Sequence, residues 1–188
     1  MIRASTSFVL GEHVASPRGY AEMMTEHPYA RPAEPVQMAL TDYRWDVLRE
    51  VRHLFGKGWT YRPDGPKDEW NYRAWSAVTQ TGAGDCEDAA MAMVQIARQW
   101  GETTIPDGSL RLVACRHPGV SPMLPGHCVL SVHTDQGEYI LDSLAPGVWP
   151  WRTLPYTYLA VEALGEDQWR AIVKEVLLSD AAKSPVLS

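Results

Sequence analysis

The sequence predicts an α+β domain in which helices pack on an antiparallel sheet. Two segments of the first half, residues 41–55 and 86–100, carry apolar side chains at helical spacing. After residue 110 the pattern changes to short alternating stretches separated by turn residues, which is typical of strands joined by hairpins. Helices followed by a run of strands are typical of the α+β class.

Length, charge and composition limit the classes of function. The chain has 188 residues, of which 45% are hydrophobic and 21% charged, and its formal net charge is −6. This predicts one domain with a substantial core. The sequence has no basic stripe of the kind that would indicate a nucleic-acid partner. It also has no apolar run long enough to indicate a transmembrane segment. The apolar cluster at residues 8–10 is too short for a secretory signal, so we expect a cytoplasmic or virion-associated location, or a periplasmic one if a signal was removed.

The pattern predicts three regions along the chain. Residues 1–40, interrupted by prolines, are expected to form an irregular N-terminal arm, residues 41–178 the domain, and residues 179–188 a C-terminal tail. The first helix is expected to begin with Thr41 as its N-cap and to end near Phe55. A last helix is predicted from five apolar residues: Trp169, Ile172, Val173, Val176 and Leu177.

One cysteine is expected at the start of the second helix. The glycine-rich turn 82–84 leads to Cys86, and the apolar stripe of residues 89–100 extends back to it. A helix N-terminus favours a thiolate, because its N–H groups are unpaired and its dipole is positive there. The adjacent carboxylates of Asp85, Glu87 and Asp88 oppose this. A bound cation would offset their charge.

The predicted strands bring an imidazole and a carboxylate together. Strands are expected over residues 110–115, 127–133 and 138–142, with the last two forming a hairpin. A loop of two or four residues between them puts His127 and Asp142 on the same face of the sheet, within diagonal reach. A Cys–His pair oriented by an acid makes a thiol nucleophilic, so the hairpin is expected to lie against Cys86.

Each residue also has a structural interpretation. Cys115 and Cys128 are expected to be buried apolar groups in strands. A single histidine or aspartate near a strand end is often a hydrogen-bonded bystander or a turn former. The acids beside Cys86 would then only complement the helix dipole. The order Cys, His, Asp along the chain favours the catalytic interpretation.

Three motifs resemble the bacterial transglutaminase-like cysteine peptidases, a family of periplasmic proteases that cleave large surface adhesins. They are residues 84–88, 126–130 and 140–144. The resemblance implies a papain-like, transglutaminase-like fold, with Cys86 as nucleophile, His127 as general base and Asp142 as the orienting acid. It also implies calcium near Asp85 and Glu87, with Asp88 as a further candidate ligand, in agreement with the charge argument.

Hydrolysis of a protein or peptide substrate is the activity we expect. The same triad also serves deamidation, glutamine cross-linking and cleavage of peptidoglycan peptides. A different class of function is a structural module, for example in a phage particle, that retains the motif. In either case the N-terminal arm or the C-terminal helix offers surface for a larger assembly.

Overall fold

A seven-stranded antiparallel sheet with helices on one face forms the centre of the molecule. In a computed structural model, the described residues are 5–28, 30–32, 34–65, 69–118, 126–166 and 168–173. The helices are α1 (Arg18–Glu26), α2 (Asp42–Gly58) and α3 (Cys86–Arg98). The strands of the large sheet are β1 (Val9–Val14), β5 (Leu110–Arg116), β6 (His127–Thr134), β7 (Gly137–Leu141), β8 (Val148–Pro150), β9 (Thr157–Ala163) and β10 (Gln168–Val173). The short strands of a second sheet are β2 (Trp59–Tyr61), β3 (Trp75–Ser76) and β4 (Thr81–Gly84).

The strand order places both ends of the described chain in one sheet. The order is β1-β10-β9-β5-β6-β7-β8, and every neighbouring pair is antiparallel. Helices α2 and α3 pack on one face of this sheet and share its larger apolar core. A smaller apolar cluster, which includes Phe8 and Tyr158, covers the opposite face. This arrangement confirms the predicted α+β class with helices on an antiparallel sheet.

The two long helices form where the sequence predicts them. The side chain of Thr41 caps α2 by accepting a hydrogen bond from the backbone N–H of Arg44 at 3.2 Å. The face of α2 toward the core consists of Val47, Leu48, Val51 and Phe55. Helix α3 is almost wholly buried, because α2 covers one side of it and strand β6 the other.

The hairpin of β6 and β7 has the predicted register. His133 pairs with Glu138 and Thr134 with Gly137, around a two-residue turn. Side chains of a strand alternate between the faces, so His127 and Asp142 share the face opposite α3. Cys128 points to the other face, toward α3 and the larger core.

Two expectations about the chain ends are wrong. The segment expected to be irregular, residues 1–40, contains strand β1 and helix α1. The expected C-terminal helix is strand β10 where the structure describes it, paired with β1 and β9. Trp169 and Ile172 are buried on opposite faces of the sheet, in the larger and the smaller cluster respectively. Val176, Leu177 and the predicted tail 179–188 lie outside the described residues, and the predicted domain boundaries stay a prediction.

The helices of the described segments lack the length and apolar character needed to cross a membrane.

Candidate active site

Cys86 lies at the junction between strand β4 and helix α3. Asp85 occupies the N-cap position and makes no side-chain capping hydrogen bond. The sulfur is half-buried, and its thiol donates to Oε2 of Glu87 at 3.1 Å. The backbone N–H of Cys128 lies near enough to the sulfur to lower the pKa of the thiol. Because Cys128 follows His127 directly, Cys86 sits against the beginning of strand β6.

His127 and Asp142 form a hydrogen-bonded pair on this part of the sheet. The Nε2 atom of His127 lies 2.7 Å from Oδ1 of Asp142, and both side chains are buried. His127 begins β6 and Asp142 directly follows β7, so the antiparallel register of the hairpin brings them side by side. The predicted approach of these two residues is therefore present in the structure.

Further donors hold the Asp142 carboxylate. The hydroxyl of Tyr156 donates to Oδ2, and the backbone N–H of Leu144 donates to Oδ1 at 3.1 Å. Burial alone raises the pKa of Asp142. The hydrogen bond and charge of His127, with the bonds from Tyr156 and Leu144, outweigh burial and hold this pKa below its ordinary value. The carboxylate is thus ionised at neutral pH and fixed in orientation.

An aromatic group surrounds the His127 imidazole. The ring of Tyr156 lies edge-on to it, with 5.8 Å between centroids. The ring of His117 lies 5.2 Å from that of Tyr156 and 6.5 Å from that of His127. Sequence reasoning missed Tyr156, which directly precedes strand β9, a strand that the sequence analysis does not predict.

The charges around Cys86 disfavour its thiolate. Burial raises the pKa of the Cys86 thiol, and the carboxylates of Glu87 and Asp85 raise it further, while the backbone N–H of Cys128 lowers it. Burial also raises the pKa of the Cys115 and Cys128 thiols. Positive charge near Asp85 and Glu87 would offset this effect.

The carboxylates beside Cys86 belong to two overlapping groups. One group comprises Asp85, Cys86 and Glu87, and the other comprises Asp64, Asp85 and Asp88. Within each group the potential ligand atoms lie within 4.8 Å of one another. All three predicted metal-binding candidates are therefore at the junction of β4 and α3, and the structure adds Asp64. Their carboxylate oxygens are the donors that suit calcium.

Asp64 and Asp88 also organise the segments around them. An Oδ1 atom of Asp88 accepts the backbone N–H of Asn71 at 2.7 Å. Asp64 accepts the backbone N–H of Glu69 at 2.5 Å. Asp64 lies between a proline and a glycine, a pattern typical of a turn residue. Only its proximity to Asp85 and Asp88 in the structure indicates a potential role as a metal ligand.

Comparison with known proteins identifies the family. The family model of the bacterial transglutaminase-like cysteine proteinases (BTLCP) matches residues 10–176. No curated protein matches the chain. Among solved structures, Legionella pneumophila LapG is 23% identical with a TM-score of 0.49, covering 68% of this chain and 69% of that one. A calcium-bound LapG structure is 22% identical with a TM-score of 0.49, covering 70% of this chain and 72% of that one. An EGTA-treated LapG structure is 24% identical with a TM-score of 0.48, covering 68% and 67%.

The family model spans most of the chain, including the cysteine helix and the histidine–aspartate hairpin. This match confirms the resemblance drawn from the three sequence motifs. The chain belongs to the bacterial transglutaminase-like cysteine proteinases and is a cysteine peptidase.

Proposed function

We propose that the protein hydrolyses a peptide bond in a protein substrate through a triad of Cys86, His127 and Asp142. The main support is the 2.7 Å hydrogen bond between His127 and Asp142, together with the packing of α3, which begins at Cys86, on strand β6, which begins at His127. With Nε2 of His127 directed at Asp142, Nδ1 is the nitrogen that exchanges a proton with the thiol.

The reaction follows from these roles. His127 takes the proton of Cys86, and the thiolate attacks the carbonyl carbon of the substrate. Backbone N–H groups at the start of α3 stabilise the oxyanion, and His127 then gives its proton to the leaving amine. His127 next deprotonates a water molecule, which attacks the thioester and releases the carboxylic acid and Cys86. Asp142 holds the imidazole in orientation and stabilises its protonated form.

The test of the triad needs no knowledge of the substrate. In the folded protein, saturated with calcium, iodoacetamide should modify Cys86 faster than Cys115 or Cys128, which are buried. His127→Ala should remove this advantage. His133→Ala is the matched control, because His133 lies on the same strand and also pairs with a carboxylate, Glu138, at 2.7 Å. Equal labelling of Cys86 in wild type and His127→Ala contradicts the triad.

Cleavage itself is tested with natural substrates. A mass-spectrometric screen of lysate incubated with wild type or with Cys86→Ala should reveal new protein termini that only the wild type produces. New termini identify hydrolysis, whereas glutamine-to-glutamate conversion or new isopeptide bonds without termini would contradict it.

The second part of the proposal is that calcium binds at the carboxylates of Asp85, Glu87 and Asp88, with Asp64. Glu87 and Asp88 are only 5% and 4% exposed, and each offers a carboxylate oxygen within 4.8 Å of one of Asp85. When bound, the ion supplies positive charge that offsets the carboxylates and favours the Cys86 thiolate.

A chelator should therefore lower the melting temperature and slow the alkylation of Cys86. Calcium should restore both better than magnesium, which demands stricter octahedral geometry. Asp85→Ala should reproduce the chelator's effect and make the protein insensitive to calcium. Asp46→Ala, at an exposed ion pair with Arg49 on α2, is the control that should keep the response. An unchanged melting curve in chelator contradicts the calcium site and leaves the triad standing.

A further inference from the structure

Arg52 connects helix α2 to the loop that begins with Asp142. Its Nε atom donates to the carbonyl oxygen of Asp142 at 2.7 Å and, more weakly, to that of Ala145 at 3.3 Å. Its Nη2 atom donates to the carbonyl oxygen of Ser143 at 3.3 Å. One guanidinium thus binds three backbone carbonyls within four consecutive residues.

The environment of Arg52 favours this single arrangement. The side chain is half-buried, and its guanidinium lies 5.3 Å from the ring centroid of Phe55, one turn further along α2. Burial lowers the pKa of Arg52, and the attraction of the Asp142 carboxylate opposes that lowering. A planar guanidinium presents its donors in a fixed fork, which suits several carbonyls at once better than an ammonium does.

His127 and Tyr156 bind the Asp142 carboxylate itself, but they do not fix the backbone of the loop that carries it. Strand β7 ends at Leu141 and β8 begins at Val148, so Asp142 lies just beyond the paired backbone. Within the loop, the N–H of Leu144 binds the Asp142 side chain at 3.1 Å. That bond orients the carboxylate only if the backbone between the two residues keeps its shape. Arg52 binds the carbonyls of this same backbone.

We propose that Arg52 is a positioning residue for the triad. By binding the carbonyls of Asp142, Ser143 and Ala145, it anchors the loop to α2, and this anchoring keeps the Asp142 carboxylate aimed at Nε2 of His127. The inference rests on the proposed function, because it gives Arg52 a role only if Asp142 orients His127. No bond to Cys86 or to substrate is involved.

The test compares three variants on helix α2. Arg52→Gln removes the charge and the fork, Arg52→Lys keeps the charge with one compact donor group, and Arg49→Gln removes an exposed arginine of the same helix that pairs with Asp46. All are measured in saturating calcium, so that the occupancy of the acidic site does not vary.

Two readouts separate positioning from mere structural support. The first is the rate of Cys86 alkylation at neutral pH in folded protein, which should fall at least tenfold in Arg52→Gln, less in Arg52→Lys, and not in Arg49→Gln. The second is the NMR signal of the His127 ring N–H, whose downfield shift reports the bond to Asp142. In Arg52→Gln this signal should weaken or move upfield. Across the three variants, the size of this change should follow the loss of alkylation rate.

The outcomes separate failure of this inference from failure of the triad. Asp142→Asn is measured in parallel. If Asp142→Asn slows alkylation and Arg52→Gln lowers only the free energy of unfolding, with the alkylation rate and His127 signal of wild type, the positioning role is wrong and the triad stands. If Asp142→Asn alkylates at the wild-type rate, both are wrong. If Arg52→Gln does not fold, Arg52→Lys decides between the same outcomes.

Discussion

Tyr156 contacts two members of the proposed triad, Asp142 and His127. Removing only its hydroxyl tests the contribution of its hydrogen bond to Asp142. It donates to Oδ2 of Asp142 while its ring lies edge-on to His127. Tyr156→Phe keeps the ring and removes the donor. Because hydrogen bonds to charged groups contribute about 1.5–3 kcal/mol, we expect a loss of that order in the free energy of unfolding, measured with urea. We also expect alkylation of Cys86 to slow several-fold.

Tyr158→Phe is the matched control for this prediction. Its hydroxyl donates to an uncharged acceptor, the backbone carbonyl of Trp151, at 2.9 Å. Loss of such a bond costs about 1 kcal/mol and should leave the alkylation rate of Cys86 unchanged. Equal effects of the two substitutions on alkylation would mean that Tyr156 contributes packing alone.

The residues that sequence reasoning found and missed differ in one respect. Cys86, His127 and Asp142 lie at positions that local patterns predict, namely a helix start and the two strands of one hairpin. Arg52 and Tyr156 reach Asp142 from 90 and 14 residues away in sequence, respectively. Their own segments look like an ordinary helix face and an ordinary turn-rich stretch, so only the tertiary structure reveals these contacts.

At the scale of elements, the junction between β4 and α3 depends on Gly84. Its φ is +157°, and a Cβ atom there would lie 2.1 Å from Oδ2 of Asp88. Gly84→Ala must displace the Asp88 carboxylate or bend the junction. If this carboxylate helps to bind calcium, the variant should lose the rise in melting temperature on calcium addition, measured by thermal denaturation.

Gly101→Ala, just beyond α3, separates backbone strain from this contact. Gly101 has a φ of +76°, but a Cβ there meets no heavy atom within 4 Å. Strain of order 1–3 kcal/mol is therefore expected in Gly101→Ala, with the calcium response retained. A Gly84→Ala protein that still responds to calcium like wild type would contradict a role for Asp88 in the site.

Strand β10 shows why one element was mistaken for another. Trp169 and Ile172 are three residues apart, a spacing that puts two side chains on one face of a helix and on opposite faces of a strand. Both faces of β10 are covered, so both residues are buried and no alternation remains to indicate a strand. Helix α2 has one clearly apolar face, and the β6–β7 hairpin has a clear turn. The predictions of both elements are confirmed.

At the scale of the whole molecule, the N-terminal segment completes the sheet. Strand β1 pairs with β10, although about 160 residues separate them in sequence. Residues before β1 cover the face that carries His127 and Asp142. The carbonyl oxygen of Thr6 accepts from the backbone N–H of Glu138 at 2.9 Å and from Nε1 of Trp151 at 2.8 Å.

Phe8 is the apolar anchor of this segment. Its ring packs 5.0 Å from that of Trp151 and 5.7 Å from that of Tyr158, and the residue is 8% exposed. Phe8→Ala should lower the free energy of unfolding by about 3–5 kcal/mol, because a buried aromatic ring is lost and a cavity remains. Val78→Ala, at a side chain that is 95% exposed, should change the urea midpoint little. Similar midpoints for both variants would contradict this role of Phe8.

Glu138 is expected to make the stability of the protein depend on pH. Its carboxylate is fully buried and binds Arg111 of β5 together with Ser131 and His133 of β6. Burial raises the pKa of Glu138, but the bonds from His133 and Ser131 and the charges of Arg111 and His133 outweigh it and hold the pKa below its ordinary value.

Because its pKa is lowered on folding, Glu138 stabilises the folded protein at neutral pH and loses this effect in acid. A carboxyl whose pKa is lower in the folded than in the unfolded state contributes stability above its unfolded pKa of about 4.3, and this contribution is lost as pH falls toward the folded pKa. The urea-derived free energy of unfolding should therefore decline as pH is lowered from about 5 toward 3.

Glu138→Gln should be less stable at pH 7 by about 3–5 kcal/mol, since it leaves Arg111 without its buried counter-charge. Its free energy of unfolding should also decline less steeply in acid than that of wild type. Glu50→Gln, at an exposed position of α2, should keep the wild-type slope. An acid decline in Glu138→Gln as steep as that of wild type would exclude Glu138 as a source of the pH dependence.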